Sequence, residues 1–136
     1  MPVIEATRKL KTAVGEYDFA VDGGAIGAIT LRSAANDSLG NNIPAGSVIQ
    51  GGYIEVDTLL TTGTAATGAI SVQSANDLQT ATVVSGAPFS TTGIKSITPA
   101  FTGATAIKTT AARSLTFTIA TGTVTAGKFR VVVYYR

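Results

Sequence analysis

The sequence predicts an all-β sandwich, and three observations carry that expectation. Thr, Val and Ile dominate the regular segments, where stiff β-branched side chains suit a pleated surface. Gly punctuates the chain at short intervals, with 15 in 136 residues. No window of 12 or more residues pairs a 3.6-residue apolar period with caps at both ends, so helix signals are nearly absent. The length fits one domain with a sizeable core.

The strands follow in order. Segments of strand character lie near residues 9–16, 25–32, 47–60, 69–74, 80–84, 94–97, 106–109, 115–120 and 128–135. Alternation is clearest near the end of the chain. Phe117 and Ile119 share one face, with Thr116 and Thr118 on the other. In the last segment Phe129, Val131, Val133 and Tyr135 share a face, opposite Lys128, Arg130, Val132, Tyr134 and Arg136. That opposite face starts charged and turns apolar, which predicts passage from solvent into a contact. The stretch Thr123-Val-Thr-Ala-Gly127 reads as a hairpin connection. Gly51-Gly52, inside the 47–60 run, marks a bulge or a close backbone approach. Loops are expected at Asp22-Gly-Gly24, Gly40-Asn-Asn-Ile-Pro-Ala-Gly46, 61–68, Ser85-Gly-Ala-Pro88 and 99–103.

Eight or nine short antiparallel strands with frequent turns are most simply a jelly roll, preceded here by an extended N-terminal segment. Residues 1–14 are read as an N-terminal arm or edge strand and 15–136 as one sandwich domain. The domain has two weakly related halves. Gly27-Ala-Ile-Thr-Leu-Arg-Ser-Ala-Ala-Asn-Asp37 is echoed by Gly68-Ala-Ile-Ser-Val-Gln-Ser-Ala-Asn-Asp77 with one residue deleted. Pro44-Ala-Gly-Ser-Val-Ile-Gln50 is more weakly echoed by Thr125-Ala-Gly-Lys-Phe-Arg-Val131, each reading as an Ala-Gly turn into a long strand.

Composition narrows function mainly by exclusion. The chain has neither Cys nor His. It therefore has no disulfide framework, no thiolate or imidazole metal ligand and no imidazole general base. Ten basic and eight acidic residues give a net charge of +2. The cations are spread along the sequence, which is not the footprint of a nucleic-acid binder. The one cluster, Arg8, Lys9 and Lys11, reads as a solvated arm or as a contact for an acidic surface. The start of the chain lacks a secretory signal, and the most apolar stretch, 129–135, is far short of a membrane span. The expectation is a soluble chain with no membrane partner, made in the cytoplasm of the cell that expresses it.

Charged residues make up only 13% of the chain, against about a quarter in an ordinary soluble domain. A neutral surface rich in Thr, Ser and Ala is cheap to desolvate, which suits extensive contact with other subunits.

Candidate chemistry is sparse. Asn36-Asp37 and Asn76-Asp77 offer oxygen ligands, but each holds one carboxylate and a calcium site wants six or more oxygens. Turn chemistry, with the side chains bonding their own backbone, is the structural alternative. Glu55 and Asp57 sit two apart in a strand and share a face. Such a pair can serve acid–base work on a glycosidic bond, or form a polar face, or pair with Arg or Lys of another subunit. Tyr134-Tyr135 is either an aromatic contact patch or the end of a core strand. No phosphate loop, dinucleotide fingerprint or Ser-x-x-Lys pair is present. The chain is expected to be no enzyme and to bind no metal or cofactor.

The stretch Asn42-Ile-Pro-Ala-Gly-Ser-Val-Ile-Gln-Gly-Gly-Tyr-Ile-Glu-Val56 resembles a pattern in small structural proteins of tailed bacteriophages. The resemblance continues through Ile70-Ser-Val-Gln-Ser-Ala-Asn-Asp-Leu78, Ser85-Gly-Ala-Pro-Phe-Ser-Thr-Thr-Gly93, Lys108-Thr-Thr-Ala-Ala-Arg113 and the run from Leu115 to Tyr135. It covers about residues 40–136. It implies a virion protein of the capsid decoration (cement) type, a homo-oligomer with a trimer favoured. Such a protein binds the major capsid protein on the capsid surface and bridges its subunits. The capsid or subunit contacts expected from the residues read above are Arg8, Lys9, Lys11, Glu55, Asp57, Tyr134 and Tyr135. The alternatives are a head-fibre, tail or spike module for host attachment, or a carbohydrate-binding module, which would want the Trp platforms this chain lacks.

Overall fold

A computed structural model describes residues 10–33, 40–97 and 106–136. Eight strands form two antiparallel four-stranded sheets. They are β1 (Lys11–Asp18), β2 (Gly27–Thr30), β3 (Ile49–Thr62), β4 (Thr67–Ser71), β5 (Gln79–Val83), β6 (Gly93–Ser96), β7 (Thr116–Ala120) and β8 (Val124–Tyr135). The strand orders are β1-β8-β3-β6 and β2-β7-β4-β5. β1 pairs with β8, β2 with β7, β3 with β6 and β4 with β5. Folding one long hairpin of four strand pairs over on itself gives this order, which is the jelly-roll topology.

Alternation explains which side of each sheet is dry. Phe129, Val131, Val133 and Tyr135 of β8, Tyr17 of β1 and Ile54 and Val56 of β3 face inward from the first sheet. They meet Ile70 of β4 and Phe117 and Ile119 of β7 from the second. Four aromatic rings form the centre of this core. Phe117 lies 4.9 Å from Phe129, edge to face, and 5.0 Å from Tyr17. Phe89 closes the group at 5.8 Å from Phe117 and 5.6 Å from Phe129. It comes from the β5–β6 connection, whose backbone is pinned by the bond from Leu60 N–H to the Phe89 carbonyl.

The stronger internal echo has a structural meaning. β2 and β4 flank β7 in the same register. Gly27 and Gly68 both oppose Ile119, Ala28 and Ala69 oppose Thr118, Ile29 and Ile70 oppose Phe117, and Thr30 and Ser71 oppose Thr116. The repeated Gly-Ala-Ile-Thr/Ser tetrad thus places the same side chains on both sides of one strand. At Gly68 a Cβ would stand 2.7 Å from the Phe117 ring, so glycine makes room for the central aromatic there.

Gly51-Gly52 fulfils both roles read from the sequence. The β3–β8 register shifts between Ile49 and Gly51, and a Cβ on Gly52 would run into the Val132 carbonyl.

Three expectations are corrected. Residues 106–109 form no strand. Val48–Lys108 is an isolated bridge, as is Ile43–Arg113. Backbone bonds from Ile49 N–H to the Ile107 carbonyl and from Thr109 N–H to the Ser47 carbonyl flank the first bridge. Beyond them the Thr109 hydroxyl donates to the Pro44 carbonyl and accepts from Ser47 N–H, so the pairing does not extend into a strand. The hairpin connection at 123–127 is shorter than expected. Thr121, Gly122 and Thr123 make the turn, Thr121 with φ +71°, and β8 already runs from Val124. Ala126-Gly127 therefore lies inside a strand, unlike its echo at Ala45-Gly46.

The third correction is a single helical turn, α1 (Phe19–Asp22), which no sequence signal announced. Asp18 caps it by accepting from Ala20 N–H at 3.0 Å. Asp22 accepts from Asp18 N–H and holds the Arg32 guanidinium with both oxygens, at 3.0 and 3.2 Å. That clamp ties the β1–β2 connection to the segment after β2, whose Arg32 backbone exchanges two hydrogen bonds with Glu16. The free edge of β1 is thereby covered at its middle.

The Tyr17 ring is fully buried and its hydroxyl donates to the Gly23 carbonyl at 2.7 Å. Burial first, then the carboxylates of Asp22 and Asp18, push its phenol up to about 12 from 10.0. The native state therefore holds this proton more tightly than the unfolded chain does. Its contribution to stability is complete below pH 10 and is lost as pH rises toward 12. Urea midpoints between pH 10 and 12 are expected to fall more steeply for the wild type than for Tyr17→Phe. Parallel slopes would contradict this.

Candidate functional site

The two outward sheet faces differ in chemistry. β2, β7, β4 and β5 contain no charged residue. The outward side chains of the first three are Ala28, Thr30, Thr116, Thr118, Ala120, Thr67, Ala69 and Ser71, opposite in the pleat to Phe117, Ile119 and Ile70. This face is thus small, hydroxyl-rich and neutral. Every charged residue that falls in a strand lies in the other sheet.

On that sheet the outward side chains form rows across the strands. Thr12, Tyr134 and Gly51 make one row. Val14, Val132, Tyr53 and Ser96 make the next, and Glu16, Arg130, Glu55 and Ile94 the one after. The face thus grades from aromatic and apolar to charged, as the alternation in β8 implied. Tyr53 and Tyr134 have ring centroids 6.3 Å apart and pack on the buried pair Val14 and Val132. The Tyr53 phenol is raised, first by its burial and then by Tyr134 beside it.

In the charged part, Lys128 lies 3.6 Å from Glu16 and Arg130 lies 3.6 Å from Glu55. Arg130 Nε is buried without a hydrogen-bond partner among the described residues. The Arg130–Glu55 pair is partly exposed, and a contact of that kind contributes only about 0–1 kcal/mol, whereas Glu16 is buried beside Lys128.

The residues singled out in the sequence disperse. Arg8 and Lys9 lie outside the described residues. Lys11 is exposed at the start of β1. Glu55 pairs with Arg130 within the chain, while a register shift between Val56 and Thr58 interrupts the alternation next to it. Asp57 falls in the exposed run 57–59 that follows. Tyr134 faces outward beside Tyr53, and Tyr135 faces the core, only 8% exposed. Asn36-Asp37 lies outside the described residues. The Asp77 carboxylate accepts from the backbone N–H groups of Val72, Gln73 and Ser74 at 2.8–2.9 Å, which is turn chemistry. Among the described residues no three Asp or Glu side chains converge as a metal site.

Two solved structures share this fold. One is a chain of the cyanophage Pam1 capsid asymmetric unit, with TM-score 0.62 and 21% identity over 94% of this chain and 84% of that one. The other belongs to the acid-stable capsid of the Helicobacter pylori bacteriophage KHP30, with TM-score 0.60 and 10% identity over 94% and 88%. No protein-family model and no curated protein sequence matches the chain.

Proposed function

We propose that the chain is a structural protein of a tailed-phage virion, of the decoration type, which binds the outside of the assembled capsid and bridges its subunits. The observation that carries the reading is the jelly roll shared, over 94% of the chain, with chains from two phage capsids. The neutral β2-β7-β4-β5 face supports it. Thr, Ser and Ala side chains desolvate at low cost and let two backbones approach closely, and many weak contacts repeated by symmetry add up. On this reading that face lies against the major capsid protein, and the chain acts as a homo-oligomer, a trimer being the form favoured. The function is assembly, with no catalytic step.

The test is co-sedimentation of the purified protein with capsids of the encoding phage that lack it. Saturable binding and a raised heat tolerance of the particles are expected. Thr118→Lys, which places a charge at the centre of the neutral face, should weaken binding at least about tenfold while the fold is retained. Absence of co-sedimentation would remove the reading.

A further inference from the structure

The charges of the described residues are polarised along the strands. β1 and β3 begin, and β8 finishes, at one end of the sandwich. Lys11, Lys108 and Arg136 are exposed there, with Lys108 bridged to Val48 and Arg136 bonded to the same residue. No ion pair engages these three among the described residues. Two apolar side chains accompany them, Leu10 at 51% and Val48 at 37% exposure.

The other half of the β1-β8-β3-β6 outer face has the opposite sign. Asp18, Glu55 and the exposed Asp57 stand there with Lys128 and Arg130, and Glu16 is largely buried beneath Lys128. Asp57 has no cation partner among the described residues. Exposed apolar residues lie beside it too, Ile94 at 68% and Leu59 at 42%. Lys95, next to Ile94, alternates to the other side of β6 and donates to Thr91.

We propose that a second copy of this chain is the partner of both surfaces. The basic end of one copy docks on the acidic half of the outer face of the next. The two surfaces differ, so the contact is heterologous: each copy offers one of each and can propagate or close into a ring. Charge sets register and encounter, while Leu10 and Val48 against Leu59 and Ile94 supply the dry part of the contact. The inference takes from the proposed function only that the chain works in many copies, and it leaves the neutral face free.

The experiment is sedimentation velocity of the purified chain, without capsids, at about 20 mM and about 500 mM salt. The wild type should associate with rising concentration at low salt and revert to monomer at high salt. Asp57→Lys and Lys108→Glu sit on exposed side chains and should each weaken association at least about tenfold, with unchanged thermal melts. An equimolar mixture of the two should associate again, because each retains the surface the other has lost. A wild type that stays monomeric up to about millimolar concentration at low salt, or single variants that associate like the wild type, would overturn the proposal. Either result leaves capsid binding, measured separately, untouched.

Discussion

Replacing Phe117 with alanine is expected to lower the stability of the domain by roughly 3–5 kcal/mol. Its ring touches Tyr17, Phe89 and Phe129, and so joins β1, β8, β7 and the β5–β6 connection at one point. Truncation loses the transfer free energy of the ring and leaves a cavity. Gly68, which made room for the ring, cannot fill it. The loss equals a large share of the roughly 5–15 kcal/mol by which a domain of this kind is stable. Urea denaturation at neutral pH measures it, and a loss below about 1 kcal/mol would mean that the rings do not form the centre of the core.

The second large effect is expected from Asn41→Ala, at roughly 2–4 kcal/mol. The Asn41 amide donates to the carbonyls of Leu31 at 2.6 Å and Leu115 at 3.1 Å, and its oxygen accepts from Leu115 N–H at 2.6 Å. It stitches the segment leaving β2 to the segment entering β7. Alanine leaves Leu115 N–H and the Leu31 carbonyl without this partner beside a fully buried Leu115. Hydrogen exchange at Leu115 should accelerate in step with the loss of stability. Unchanged exchange there would contradict this role.

These two residues mark the boundary of what the sequence disclosed. Phe117 was legible: alternation with Thr116 and Thr118 put it on the inner face, and the same rule sorted every side chain of β8 from Lys128 to Tyr135. Asn41 was not, because a loop asparagine carries no sign of which distant backbone it will bridge, and Leu115 is 74 residues away. Phe89 was hidden for a similar reason. It sits after an expected turn, and only the closing of the sandwich shows that the loop turns inward. The segment 106–109 has strand composition, yet it makes only an isolated bridge, and the Thr109 hydroxyl takes up the Ser47 N–H and the Pro44 carbonyl, a competition local propensity does not register. Of the candidate contact residues, Tyr134 and Tyr135 look alike in sequence. The period-2 rule separates them, one on the outer face and one in the core. The polarity of charge along the sandwich was invisible, since Lys11, Lys108 and Arg136 come together only through the jelly-roll pairing.

A chain repeated over a capsid surface, as proposed, is present in many copies, and the number of copies per virion tests that most directly. Quantitative mass spectrometry of purified particles of the encoding phage, normalised to the major capsid protein, is expected to find on the order of hundreds of copies, in a simple ratio to the shell subunits. A few copies, or a few tens, would contradict the account and assign the chain to a tail, fibre or spike.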